Sequence, residues 1–282
     1  MRPNKAKRAL ATGGVAIGTM VFEFKTPGIA QIAATAGADF VVFDMEHTGW
    51  SDETIATLVA TARGADIVPI VRVPATQYHL MSRPLDVGVM GLMIPMVETA
   101  DQARIVARSA KYPPRGLRGA AFGIAHDDYQ SGDIVAKMRS ADDEGLIIAM
   151  IETELGVANV AEIALVDGID VLWIGHFDLT NSMGIPGQFD HARFLAAVDR
   201  VLEAGHRHGK AVAIMVASIA EGKACLARGF RCLAYWGDLW IYQRALAEGI
   251  EAIRAATIES KPAPSQPNPV RVVIHGDPER PI

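Results

Sequence analysis

The stretch LIIAMIETELGVANVAEIALVDGIDVLWIGHFDL, Leu146–Leu179, decides the fold. It opens on one apolar run, Leu146–Ile151, and closes on a second, Val171–Gly175, with a segment of helical period between them. Neither run alternates cleanly, as expected for strands buried on both faces of a parallel sheet. Six further runs read the same way: Val15–Val21, Phe40–Phe43, Ile67–Val73, Gly91–Val97, Ala211–Val216 and Phe230–Trp236. Strand, helix, strand, repeated around eight runs, predicts a single-domain (β/α)8 TIM barrel over residues 1–260. A doubly wound open sheet is the alternative, but its glycine-rich dinucleotide turn is missing after the first run.

The helices between the runs carry legible ends. Thr26-Pro27 predicts a capping hydroxyl and a first-turn proline before Ile29, with Gly37 as the stop. Ser51, followed by Asp52 and Glu53, predicts a second start, with Ile55, Leu58, Val59 and Ala62 on one face and Gly64 at the end. Two regions break the rhythm. Residues 111–144 form a long excursion containing YPPRGLRGAAFG and the helical DIVAKMRSADDEG, the kind of insertion used as a lid or binding loop. Residues 261–282 hold six prolines and read as an irregular tail.

Composition narrows the function classes. A formal charge of −5 and the absence of a Lys/Arg cluster give no footprint for nucleic acid. No apolar run approaches the roughly 20 residues that span a bilayer. The basic start MRPNKAKRALATGG reads as a helix leading into the first strand rather than as a signal peptide. Cys225 and Cys232 have neither redox nor zinc spacing, and two scattered thiols fit the cytoplasm.

Active groups in a barrel of this kind come from the carboxyl ends of its strands. Asp44, Glu46 and His47 follow the second run, Arg72 lies at the end of the third, Glu152 follows the fifth, and His176 and Asp178 follow the sixth. Glu152 and Asp178 are expected where a buried strand gives way to a loop, with a helix beginning only several residues later. Two carboxylates on neighbouring strands call for a cation, and hard oxygen ligands suit Mg2+, Mn2+ or Co2+. Capping or salt-bridging acids are the plainer alternative. For Arg72 the choice lies between a buried ion pair with Asp44 or Asp86 and an electrophile facing a substrate oxygen. Asp44, three residues before His47, can accept from one ring nitrogen and leave the other as a base. His126 and His176 stay open, and the remaining histidines receive no role. Gly116–Gly119 either covers a substrate carboxylate with Arg118 or merely ties the loop down.

The runs Phe43-Asp44-Met45-Glu46-His47, Arg72-Val73-Pro74, Pro113–Gly119, Ile151-Glu152-Thr153 and Gly175-His176-Phe177-Asp178-Leu179, in this order and spacing, resemble the HpcH/HpaI family of metal-dependent pyruvate aldolases. The resemblance spans roughly Asn4 to Ile258. It implies a homohexamer with the last helix exchanged between subunits, and a divalent ion on Glu152 and Asp178. It further implies Arg72 on the pyruvyl keto oxygen, an acid–base dyad of His47 and Asp44, and the backbone amides of Phe177 and Asp178 on the pyruvate carboxylate. The expected reaction is reversible cleavage of a 4-hydroxy-2-oxo acid, such as a 4-hydroxy-2-oxoheptanedioate-like compound, to pyruvate and an aldehyde through a metal-stabilised enolate. No lysine stands at a strand mouth for Schiff-base chemistry; Lys210 precedes the seventh strand at its amino end. Two departures stand out, Met150 where relatives carry glutamine and His176 where they carry proline. Oxaloacetate decarboxylation, another enolate-forming lyase or synthase, and a non-catalytic metal-binding barrel are the competing readings.

Overall fold

Parallel pairing runs unbroken around eight strands in the computed structural model, which describes residues 2–259 of the chain. The strands are Ala16–Val21 (β1), Phe40–Asp44 (β2), Val68–Arg72 (β3), Gly91–Ile94 (β4), Leu146–Ile151 (β5), Val171–Ile174 (β6), Ala211–Val216 (β7) and Cys232–Gly237 (β8). They close into a barrel, β8 bonding back to β1. The helices are Lys5–Ala11 (α1), Ile29–Thr35 (α2), Asp52–Ala62 (α3), Tyr78–Asp86 (α4), Ala100–Ala110 (α5), Ile134–Glu144 (α6), Glu154–Ala158 (α7), Val160–Ala164 (α8), His176–Ser182 (α9), Ala192–Arg207 (α10), Ile219–Ala227 (α11) and Asp238–Glu259 (α12). The predicted (β/α)8 barrel is therefore the observed fold. The strand predicted over Gly91–Val97 stops at Ile94, because Pro95 brings no N–H and Met96 turns to φ 54°.

Two apolar layers account for the non-alternating runs. Residues such as Val41, Phe43, Val71, Ile147 and Ile151 pack outward under the helices. Phe40, Val42, Val68, Ile70, Leu146, Ile148, Met150 and Trp173 fill the barrel interior. Gly18 makes room there, since a Cβ on it would lie 2.5 Å from the Phe40 ring. Ser51 caps α3 through the Thr54 N–H, as its sequence predicts. Thr26 does not cap α2: its backbone carbonyl accepts from Ile29 in a turn, so the helix starts after Gly28 with no side-chain cap.

The amino end of the barrel is closed by α1. Ala6 and Leu10 enter the interior layer. Asn4, fully buried, accepts from the Lys7 N–H at 3.0 Å and donates to the Met90 and Glu144 carbonyls at 2.9 Å each. Lys7 reaches the Gly145 carbonyl at 2.6 Å and Asp170 at 3.0 Å, and Asp170 accepts from the Ile147 N–H at 2.8 Å.

The chain divides into a compact unit through Ile241 and a second from Tyr242 on. In the second, Tyr242, Leu246, Ile250 and Ile253 recur at helical spacing along α12. The proline-rich segment 261–282 lies outside the described residues. Among the described residues no helix is long and apolar enough to cross a membrane.

Candidate active site

Strand parity builds the mouth. Phe40 and Val42 point inward, so Asp44 does too; Val68 and Ile70 lead to Arg72, and Leu146, Ile148 and Met150 lead to Glu152. The sheet register pairs Asp44 with Arg72 directly, and Arg72 Nε donates to Asp44 Oδ1 at 2.6 Å with both side chains buried. The buried ion pair weighed for Arg72 thus forms with Asp44; Asp86 binds Arg118 instead, at 2.7 Å. Glu46 Oε2 stands 3.3 Å from the same Arg72 Nε.

Asp44 holds the following turn by its backbone, not by the histidine ring. Its oxygens accept from the Glu46 N–H at 3.1 Å and the His47 N–H at 3.0 Å. The His47 ring stands free of Asp44, 3.7 Å from Glu46 Oε2 and 57% exposed. It borders a cavity of about 540 Å³. The turn places Glu46 in the centre of the charge cluster, a position to which the sequence reading gave no role. Its spacing of two from Asp44 was the available signal.

Glu152 is 2% exposed, and its Oε1 accepts the Met96 N–H at 2.6 Å. Gly175 lies against its other face; a Cβ there would meet Glu152 Oε2 at 2.2 Å, so only glycine admits the carboxylate. Burial pushes the Glu152 carboxyl up to about 7, with the Glu46 and Asp178 carboxylates adding to the rise and the Met96 N–H and Arg72 opposing it. Burial raises Glu46 as well, against the pull of Arg72 and His47.

Asp178 differs from its expected setting. The sixth strand passes through Gly175 straight into α9, the Leu179 N–H bonding the Gly175 carbonyl at 2.9 Å, so Asp178 is exposed in the first turn of a helix rather than in a loop. Phe177 and Asp178 occupy first-turn positions, where backbone N–H groups lack intrahelical partners. The His176 ring joins an aromatic cluster. It packs 4.6 Å from the Phe177 ring and 5.1 Å from Phe189, and burial holds its pKa down to about 4, so it is neutral at ordinary pH.

The excursion after α5 resolves two open questions. Arg118 is buried beneath the loop, paired with Asp86 and 4.7 Å over the Tyr112 ring, so it ties the loop down. His126 is also buried, with Nε2 2.6 Å from the Ala121 carbonyl, and is held within the loop itself.

Glu46, Glu152 and Asp178 influence one another beside the Asp44–Arg72 pair, so that among the described residues four carboxylates face one guanidinium and the cluster is short of positive charge. Hard oxygen donors with excess negative charge suit a divalent cation. Among the described residues no group of three or more His, Cys, Asp or Glu side chains is arranged to hold a metal. Of the acids present, Glu152 and Asp178 could contribute two such oxygen donors.

The sequence profile of the HpcH/HpaI aldolase/citrate lyase family matches residues 19–239. The chain is 33% identical over 267 residues to a hydroxypyruvate/pyruvate aldolase of Cupriavidus necator, covering 94% of this chain and 97% of that one. It is 29% identical over 252 residues to a 5-keto-4-deoxy-D-glucarate aldolase of Klebsiella pneumoniae, covering 89% and 97%. A crystal structure of an HpcH/HpaI aldolase from Desulfitobacterium hafniense superposes with a TM-score of 0.84 at 32% identity, covering 88% and 96%.

Proposed function

The chain belongs to the HpcH/HpaI aldolase/citrate lyase family and is a carbon–carbon lyase, and from that premise we propose that it reversibly cleaves a 4-hydroxy-2-oxo acid to pyruvate and an aldehyde. The observation that carries this reading is the buried Asp44–Arg72 pair beside the Glu46, Glu152 and Asp178 carboxylates at the barrel mouth. Aldolases named for pyruvate donors at 33% identity over nearly the whole chain support it.

Glu152 and Asp178 would hold the divalent cation (Mg2+, Mn2+ or Co2+), which when bound supplies Lewis-acid stabilisation of developing negative charge on oxygen. The protein's own groups do the rest. Asp44 and Glu46 engage Arg72 through Nε, which leaves its terminal nitrogens to donate to the keto oxygen of the substrate. First-turn amides of Phe177 and Asp178 hold the carboxylate. His47, supported by Asp44 through the turn backbone, exchanges the proton of the C4 hydroxyl. Loss of that proton sends the C3–C4 bonding pair into the pyruvate enolate as the aldehyde leaves, and the enolate then takes a proton at C3. Lys210 has no place in this scheme, since its Nζ caps the Ile169 carbonyl at 2.7 Å at the far end of the barrel.

The test is pyruvate release from a 4-hydroxy-2-oxo acid in buffer, in EDTA and after Mn2+ is restored. Release that survives EDTA overturns the metal assignment. Decarboxylation of oxaloacetate with no aldol cleavage replaces the reading with a decarboxylase, and inertness toward both leaves a binding barrel. We also propose a cytoplasmic homohexamer with an exchanged C-terminal helix, which light scattering on the full chain tests.

A further inference from the structure

The cavity beside His47 has walls that the scheme above does not use. It is lined by Phe22, Glu23, Thr48, Gly49, Trp50, Leu239 and Trp240 together with His47. At about 540 Å³ it is of a size that encloses a small organic molecule. Three of its walls are aromatic and one is leucine. Among the described residues no lysine or arginine lines it, and Glu23 is its one carboxylate. Arg72 approaches only from outside, its guanidinium 5.6 Å from the Phe22 ring centroid while Nε stays on Asp44 and Glu46.

These walls are packed on one another. Phe22 meets Trp240 edge to face at 5.0 Å, and Trp236 stacks on Trp240 at 6.4 Å. A Cβ on Gly237 would lie 2.8 Å from the Trp240 ring and 2.9 Å from Phe22, so the aromatic contact requires glycine there. Trp236 itself sits at φ 46°, a strained conformation for a bulky residue. Asp238 fixes the loop that carries Phe22, its two oxygens accepting the N–H groups of Phe22, Glu23 and Phe24 at 2.9, 3.0 and 2.6 Å.

We infer that this cavity seats the acceptor end of the substrate and that the acceptor is a neutral aldehyde with an aromatic or aliphatic side chain. The inference rests on the aldolase reading and deepens it. In the synthetic direction pyruvate C3 gives up a proton and its electron pair bonds to the aldehyde carbon. The carbonyl π pair moves to oxygen, which takes a proton, with the His47 ring at the cavity wall to deliver it. The Phe22, Trp50, Leu239 and Trp240 walls accept an apolar side chain without loss of hydrogen bonds. A carboxylate on the aldehyde would instead lose water against those walls and meet Glu23 rather than a cation.

The experiment measures kcat/KM for addition of pyruvate, with Mn2+, to benzaldehyde, hexanal and succinate semialdehyde. Oxaloacetate decarboxylation in the same preparation reports enolate formation without any acceptor. The wild type is expected to favour the neutral aldehydes over the anionic one by on the order of ten-fold or more. Trp50→Ala and Trp240→Ala should cut that ratio about five-fold, each normalised to decarboxylation by the same variant. Glu23→Lys, at an exposed position, should shift the ratio toward succinate semialdehyde by about three-fold, and decides the matter should the tryptophan variants misfold. A wild-type ratio at or below one with decarboxylation intact overturns the inference, as does a ratio that none of the substitutions moves. Absence of both decarboxylation and aldol addition removes the aldolase reading itself.

Discussion

The two ends of the barrel use the same residue types to opposite effect. At the amino end Asn4, Lys7, Lys111, Asp170 and Lys210 are spent on backbone carbonyls and amides or on one another, and together they seal the interior. At the carboxyl end Glu46 and Glu152 are raised by burial, Met96 and Trp236 sit at positive φ, and the four carboxylates of Asp44, Glu46, Glu152 and Asp178 gather around the Arg72 guanidinium. One end lowers the free energy of the fold. The other stores unfavourable electrostatics where a cation and a substrate can relieve it. Substitutions at the two ends should therefore separate stability from activity.

The largest effect belongs to the mouth. Glu152→Gln keeps the shape and the Met96 hydrogen bond while removing the charge. Pyruvate release should fall by about 10²–10³-fold, the usual cost of losing one electrostatic stabiliser, while the melting temperature of the metal-free protein holds or rises. Activity within ten-fold of wild type, or a clear loss of stability, would break the contrast. Asn4→Ala is the matching change at the other end. It deletes a buried cap and leaves the Met90 and Glu144 carbonyls without that donor, at a cost of about 3 kcal/mol by denaturant titration. Its kcat should stay near wild type, measured well below the new melting temperature.

The pH dependence of stability sharpens the same point. The Glu152 carboxyl has its pKa raised from 4.5 to about 7 in the folded chain. Between those values the native state holds a proton that the unfolded state has released, so stability falls as pH rises and the loss is complete above about 7. In EDTA the wild type should lose on the order of 2 kcal/mol between pH 5 and pH 8 from this group. Glu152→Gln should flatten that slope, and equal slopes for the two proteins would show that Glu152 does not carry the strain.

How much of this the sequence could tell differs between the ends. The eight strands were legible because each is a short apolar run, and the structure begins and ends them within a few residues of the expected positions. Their place at the carboxyl ends of strands also put Asp44, Arg72 and Glu152 at one mouth, and the structure's inward parity along β2, β3 and β5 accounts for it. What escaped depends on backbone turns that no residue pattern specifies. The Met45–Thr48 turn settles whether Asp44 meets the His47 ring or its N–H, and it carries Glu46 inward. The immediate passage from β6 into α9 moves Asp178 onto a helix, and the Gly175 at that junction packs against Glu152, a contact between segments that no local residue pattern specifies. The closure of the amino end was equally invisible, since Asn4 and Lys7 bond residues some 86 to 163 positions away.

The smallest effect separates charge from capping at the amino end itself. Lys5 pairs with Asp66 at 3.1 Å, but Asp66 is 92% exposed, and Lys5 also donates to the Asp66 backbone carbonyl at 2.6 Å. Asp66→Asn removes the ion pair and keeps the carbonyl contact. Solvent already screens such a pair, and holding a lysine side chain in place costs entropy, so stability should change by no more than about 0.5 kcal/mol. A shift as large as that of Asn4→Ala would mean that long-range charge, rather than satisfaction of buried backbone groups, holds the end of the barrel together. The division of labour between the two ends would then have to be drawn on different lines, with surface electrostatics entering both.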